Sequence, residues 1–289
     1  MSQSAYRLHM PRQVDTSVVF SSPHSGCDYP WAFLTQSVLD EHVIRSSEDA
    51  FVDQLFSKAP EVGAPLLAAT APRAYVDLNR DAAELDPAVI EGARVSGQNP
   101  RISSGLGVIP RVVANGRAIY RGKIPLSEAK ARLDRIWHPY HDQLRTLLAQ
   151  AQAQFGQAIL IDCHSMPRDA IETATAAGRP RPDVVLGDRF GASASAEVVA
   201  QVEDAFRAAG FRVGRNTPFA GAYIAQRYGR PLQGCHAVQV EIDRSLYMDE
   251  AAIRPNAGFA DFRRLMGGVV ADIARIGRAG GAAMPLAAE

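Results

Sequence analysis

Three places in this chain set an apolar run directly before a residue that could bind a metal or move a proton. Ser17-Val18-Val19-Phe20-Ser21-Ser22 stops at Pro23-His24-Ser25-Gly26, and Ala158-Ile159-Leu160-Ile161 runs into Asp162-Cys163-His164-Ser165-Met166-Pro167. Each is a short apolar run closed by a breaker, which reads as a strand buried on both faces. The third, His236 to Arg244, alternates, so that Gln239, Glu241 and Asp243 take one face and Val238, Val240 and Ile242 the other. Three strand ends thus offer His24, His164 and Glu241, and carboxyl ends of strands are where open α/β sheets hold their sites. Two histidines and a carboxylate, with water in the fourth position, make a zinc set. Zinc lowers the pKa of its water to about 7. A second carboxylate, outside the ligand set, must then take the water proton and pass it to a leaving amine. Glu241 is the candidate.

No HExxH spacing ties two of these ligands together, so their common position after apolar strands carries the reading. Three arginines add to it. Arg73, Arg80 and Arg244 each lie beside a proposed strand end, where the guanidinium fork can hold a carboxylate bidentately. Each also has a plain structural alternative, pairing with Asp77, Asp81 or Asp243.

The elements that must position these groups alternate in type. Residues 1–16 read as a surface arm, followed by the first strand. A short helix is predicted at Thr35–Ile44, and Ser46-Ser47-Glu48-Asp49 resembles a hydroxyl-capped helix start whose acids offset the dipole. Pro65–Thr70 and Ala74–Leu78 are strand candidates. The Gly, Pro and Ser-rich stretch 86–107 has the character of a functional loop or lid. Val108–Ile119 suits a hairpin turning at Asn115-Gly116. Ser127–Phe155 repeats apolar residues at three and four but contains Pro139, which predicts a kink. His138 and His141 lie on it and read as surface or hydrogen-bonded residues. A strand at Asp183–Gly187, helices at Ala196–Ala209 and Phe259–Ile276, and a flexible tail at 278–289 complete the chain. The expectation is α/β: a single domain over 1–289, with a mixed, mostly parallel central sheet flanked by helices.

Composition narrows the partners. Lys plus Arg and Asp plus Glu are both 31 in a chain of 289 residues, so no basic field points to nucleic acid or to a membrane surface. The 47% apolar content can fill a large core, yet no run reaches about 18 apolar residues, and a cytoplasmic protein acting on a small molecule is expected. Cys27, Cys163 and Cys235 are odd in number and lack CxxC spacing, which argues against disulfides and cysteine-zinc sites. The composition sets no oligomeric state.

Five segments in order, Ser-Pro-His-Ser-Gly at 22–26, Glu-Asp-Ala-Phe-Val-Asp-Gln-Leu-Phe at 48–56, Asp-Leu-Asn-Arg at 77–80, Asp-Cys-His-Ser-Met-Pro at 162–167 and Gln-Val-Glu-Ile-Asp-Arg-Ser-Leu-Tyr-Met-Asp-Glu at 239–250, resemble the N-formylglutamate amidohydrolase family. That family is related to zinc carboxypeptidases and aspartoacylases, which implies a zinc-peptidase type of sheet between helices. The resemblance implies His24, Asp49 and His164 as ligands of Zn2+ or another divalent transition metal. It also implies Asn79 and Arg80 as holders of a substrate carboxylate, joined by Arg244, and Arg73 as the stabiliser of the oxyanion. The implied substrate is a small acidic N-acyl amino acid, N-formyl-L-glutamate, cleaved to formate and glutamate with Glu241 carrying the proton. The same chemistry on another N-acyl or N-formimino acid, a thiol mechanism using Cys163 or Cys27, and a non-catalytic binding module are the competing readings.

Overall fold

In the computed structural model, residues 4–94, 100–175 and 180–278 are described. Their core is a seven-stranded sheet built from β1 (Tyr6–His9), β2 (Val18–Ser22), β3 (Leu66–Ala69), β4 (Ala158–Met166), β5 (Val184–Gly187), β6 (Val213–Arg215) and β7 (Cys235–Asp243), in the order β1-β3-β2-β4-β7-β5-β6. The pairs β3-β2, β2-β4, β4-β7 and β5-β6 are parallel, while β1-β3 and β7-β5 are antiparallel. The expected mixed, mostly parallel sheet is therefore what forms. Central strands β2 and β4 are buried throughout, as the apolar runs that open them require, and the alternating β7 is buried from His236 onward.

Helices cover both faces. On one face α2 (Ala196–Ala208) and α3 (Phe259–Ile276) pack over Val18, Phe20, Ile159, Ile161, Val238 and Val240. The apolar stripe of α3, Met266, Val269, Val270, Ile273 and Ala274, has the spacing that one helical face needs. On the other face α1 (His138–Phe155) lays Tyr140, Leu144, Leu147, Leu148 and Ala151 against Val19, Leu160 and Ala237. The kink expected near Pro139 is a π-helical turn at Leu133–Trp137, between the helix Leu126–Arg132 and α1. Proline has no N–H to donate, and the widened turn absorbs the missing bond.

Several expectations are corrected. Residues 1–16 are not simply an arm, because Tyr6–His9 forms the edge strand β1 against β3. The helix placed at Thr35–Ile44 is instead Trp31–Gln36, followed by a 3₁₀ turn at Val43–Ser47. Ser46 and Ser47 cap nothing: the next helix is the single turn Val52–Leu55, whose preceding residue Phe51 has a left-handed φ of 67°. Ala74–Leu78 is not a strand but a turn-rich stretch whose Ala74, Val76 and Leu78 side chains are still buried. The hairpin at 108–119 shrinks to one bridge, Val112 with Ala118, around Asn115 and Gly116 at positive φ. Stretch 86–107 carries a two-residue strand and the turn of helix Pro100–Ser103, and its positions 95–99 lie outside the described residues, as does the tail from 279. Among the described residues, no helix is long and apolar enough to cross a membrane.

Candidate active site

The site grows out of one face of β4 and β7. In β4 Ala158 and Leu160 enter the core beneath α1, and two steps further the same face carries Asp162 and then His164. The parallel register sets Asp162 beside Gln239 and His164 beside Glu241, so these four side chains tile the carboxyl end of the sheet. His24 joins from the next strand, in the loop that leaves β2. Gly26 is needed there because a Cβ would overlap the carbonyls of Thr70 and Ala71 as the loop crosses the end of β3.

Asp49 arrives from the stretch between the 3₁₀ turn and Val52–Leu55, tied down by its N–H donating to the His24 carbonyl at 3.0 Å. Its carboxylate meets both imidazoles: Oδ2 lies 2.9 Å from His164 Nδ1 and 3.5 Å from His24 Nδ1. Glu48 turns away, to Arg45 at 3.0 Å and the Tyr29 hydroxyl at 2.7 Å. Ligand-capable atoms of His24, Asp49 and His164 all fall within 4.8 Å of one another, and all three residues are buried.

Each imidazole is held from behind by a carboxylate. His24 Nε2 is 2.7 Å from Asp77 Oδ1, and His164 Nε2 is 3.0 Å from Asp162 Oδ2. Such partners set the tautomer, leaving the Nδ1 lone pairs aimed at the common centre. His24 Nδ1 is buried with no hydrogen-bond partner, a costly state for a polar nitrogen unless something binds it. Two nitrogens and a carboxylate converging on one point therefore fit a divalent cation. Burial alone would raise the Asp49 pKa, but the imidazoles of His164 and His24 beside it outweigh that and hold the group well below the usual carboxylate range. The reverse balance acts on His164: burial disfavours its charge, and Asp162 and Asp49 more than offset that, so its pKa lies well above the usual histidine value.

Glu241 is 6% exposed, and burial, helped by Asp49, raises its pKa to about 7 against the opposing pull of His164, Arg73 and Arg244. A carboxyl that titrates near neutrality can both accept and return a proton. A cavity of about 620 Å³ opens over this group, and His24, Asp49, Arg73, Asn79, Arg80, His164, Glu241 and Arg244 all line it. That volume is in the range of small-molecule sites, about 300–1,000 Å³.

The arginines divide. Arg73 keeps its structural pairing, Nε to Asp77 Oδ2 at 3.0 Å, while its side chain stays a quarter exposed at the cavity wall. Arg80 donates to the carbonyls of Leu106 and Asn79 and pairs with neither Asp81 nor Asp77 within 4 Å. Arg244, expected either on substrate or on Asp243, instead reaches Asp49 Oδ1 at 2.9 Å and Ser165 Oγ at 3.2 Å. The reason is local: Asp243 caps the 3₁₀ turn Arg244–Leu246 through the Ser245 N–H, which folds Arg244 back over Asp49. Asn79 is also committed inward, its Oδ1 accepting from the Ile224 N–H at 2.8 Å and its Nδ2 lying 3.1 Å from His164 Nε2. The thiol reading loses its footing. Cys163 points to the opposite, apolar face, burial pushes its pKa well up, and neither it nor Cys27 lines the cavity.

Sequence reasoning passed over Asp77, Asp162 and Gln239 as parts of the site. Asp162 could have been found, since it stands two residues before His164 and so shares its face.

Residues 16–248 match the N-formylglutamate amidohydrolase family. The chain belongs to that family. A relative from Pseudomonas aeruginosa, N-formylglutamate deformylase, is 33% identical over 260 residues, covering 89% of this chain and 90% of its own. Another of the same name from Pseudomonas putida is 30% identical, covering 81% and 82%. The crystal structure of an N-formylglutamate amidohydrolase from Ralstonia eutropha superposes with a TM-score of 0.87 at 36% identity, over 93% of this chain and 97% of that one. A protein from Agrobacterium tumefaciens shares the fold, with a TM-score of 0.61 at 19% identity. As a family member the protein is a hydrolase of linear amides.

Proposed function

We propose that the protein removes the formyl group of N-formyl-L-glutamate, releasing formate and glutamate, with His24, Asp49 and His164 holding a divalent cation, zinc in our reading. When bound there, the cation supplies a Lewis acid and water of lowered pKa, about 7. The rest is done by side chains. Glu241 takes the proton of the attacking water as its oxygen bonds to the formyl carbon, then delivers that proton to the nitrogen as the C–N bond breaks. Arg73, steadied by Asp77, donates to the carbonyl oxygen as it gains charge. Arg80 receives a substrate carboxylate at the cavity wall. Asn79 donates to Asp162, the partner of His164, and Arg244 fixes Asp49, which assigns both a supporting part beside any contact with substrate.

The observation that carries this reading is the convergence of three donor atoms within 4.8 Å in a cavity that the buried Glu241 also lines. The relatives named N-formylglutamate deformylase support the substrate. Metal analysis of the purified protein, paired with an assay of amine released from N-formyl-L-glutamate, tests it. Activity should vanish with complete chelation and return with zinc; full turnover by metal-free protein would defeat the proposal. A panel of N-formimino and other N-acyl acidic amino acids separates the formyl group from its rivals.

A further inference from the structure

Gln239 has no assigned part, yet its side chain is fixed in the cavity floor by hydrogen bonds at both ends of its amide. It stands two residues before Glu241 on the same face of β7, beside Asp162 in the ladder, and is 3% exposed. Its Oε1 accepts from the Ala222 N–H at 3.0 Å and from Asn79 Nδ2 at 3.4 Å, and its Nε2 donates to Glu241 Oε1 at 2.7 Å. The orientation of the amide follows from its partners. A backbone N–H only donates, so Oε1 must face Ala222 and Nε2 must face Glu241. Asn79 is fixed by the same logic, because the Ile224 N–H takes its oxygen and turns its nitrogen toward Gln239.

We propose that Gln239 is a positioning residue for the hydrolysis: it grips one oxygen of Glu241 and leaves the other to exchange the proton. The proposal rests on the reading of Glu241 as proton carrier. A glutamate has several rotatable bonds, and displacement of a reacting group by about 1 Å costs about 100-fold in rate. Gln239 removes that freedom. Through Ala222 it also joins the proton carrier to the wall formed by Ala220 and Gly221, which lines the same cavity. Substrate seated against that wall thus meets a carboxylate held in register with it.

The test compares Gln239→Leu and Gln239→Glu with Glu241→Gln, all loaded with zinc. Gln239→Glu keeps the shape and the contacts of Oε1 but replaces the amide donor with a carboxyl that must share a proton with Glu241. Both Gln239 variants should lose about 100-fold in kcat with KM changed by less than about threefold, while bound zinc per chain and melting temperature stay near wild type. A crystal structure of Gln239→Leu should find Glu241 in another rotamer. If Glu241→Gln retains turnover, the proton-carrier reading falls and the role of Gln239 with it. If Glu241→Gln is inactive but both Gln239 variants keep wild-type kcat, only the positioning role is overturned. Loss of kcat that tracks loss of zinc or of folded protein in both variants also overturns it, since that is a structural role.

Discussion

The two faces of β4 and β7 begin alike and end differently. On the face beneath α2 and α3, Ile159, Ile161 and Cys163 of β4 and Val238, Val240 and Ile242 of β7 are apolar, with polar residues only at the ends, His236 and Ser165. On the face beneath α1, Ala158, Leu160 and Ala237 give way to Asp162, His164, Gln239 and Glu241. Both faces are buried to the same degree. Burying charge without partners is costly, so the second face exists only because its groups pair with one another: His164 with Asp162 and Asp49, Gln239 with Glu241, and Asn79 donating to both Asp162 and Gln239. One face holds the sheet together, and the other spends the burial on chemistry.

The sharpest way to break this comparison is Glu241→Gln. It should lower kcat by about 10²–10⁴-fold, the usual worth of a positioned acid-base group, with zinc content unchanged. Retained turnover would return Glu241 to the rank of a buried structural acid. On the other face, Ile159→Ala should cost about 2–5 kcal/mol in urea denaturation, with kcat per folded molecule as in wild type. A specific loss of kcat there would mean that the faces are not independent. Next in size, Asp77→Asn should weaken metal affinity about 10–100-fold, read by competition with a coloured chelator; unchanged affinity would remove Asp77 from the support of His24.

The smallest expected effect lies beneath α1, on His141. Its Nε2 is 2.9 Å from the Leu78 carbonyl and its Nδ1 is 2.9 Å from the Tyr228 hydroxyl, an arrangement for a neutral ring. Burial lowers its pKa to about 3, against the pull of the Leu78 carbonyl. Between the unfolded value of about 6.5 and that folded value, only the unfolded chain takes the proton, so stability is full above pH 6.5 and falls as the pH is lowered. From pH 6.5 to 5 the loss is about 2 kcal/mol at most. Denaturation at pH 7 and pH 5 should therefore find a smaller drop in His141→Gln than in wild type. Equal drops would mean that the ring protonates freely in the fold.

The features legible in the sequence were those in which burial leaves a mark on residue type. Strands β2 and β4 could be read because strands covered on both faces open on apolar residues without a break, and β7 because its apolar and polar residues alternate, although β4 continues past its first polar residue, Asp162, to Met166. The α3 stripe was legible for the corresponding helical reason. The approach of Asp49 was not. Ser46-Ser47-Glu48-Asp49 has the composition of a helix start, but the Asp49 N–H is claimed by the His24 carbonyl, a partner 25 residues earlier in the chain, and Phe51 leaves the helical region altogether. Ala74–Leu78 misled in the same way. Its residues are all buried, as a strand's would be, but tertiary contacts rather than a ladder hold it. Arg244 illustrates the remaining limit: its neighbour in sequence, Asp243, is occupied with the turn, and its partner is distant. Long-range pairings have no local signature.

Asp77 holds His24 with one carboxylate oxygen and Arg73 with the other, and accepts the Asn79 N–H as well. An imidazole of the candidate metal set and the guanidinium proposed to meet the reacting carbonyl are thereby joined through a single side chain. In an evolving lineage neither could drift without dragging its companion, so a change of acyl preference has little room to arise on that side. Phe219 to Gly221, which border the same hollow with small or apolar residues, carry no such linkage to Asp77.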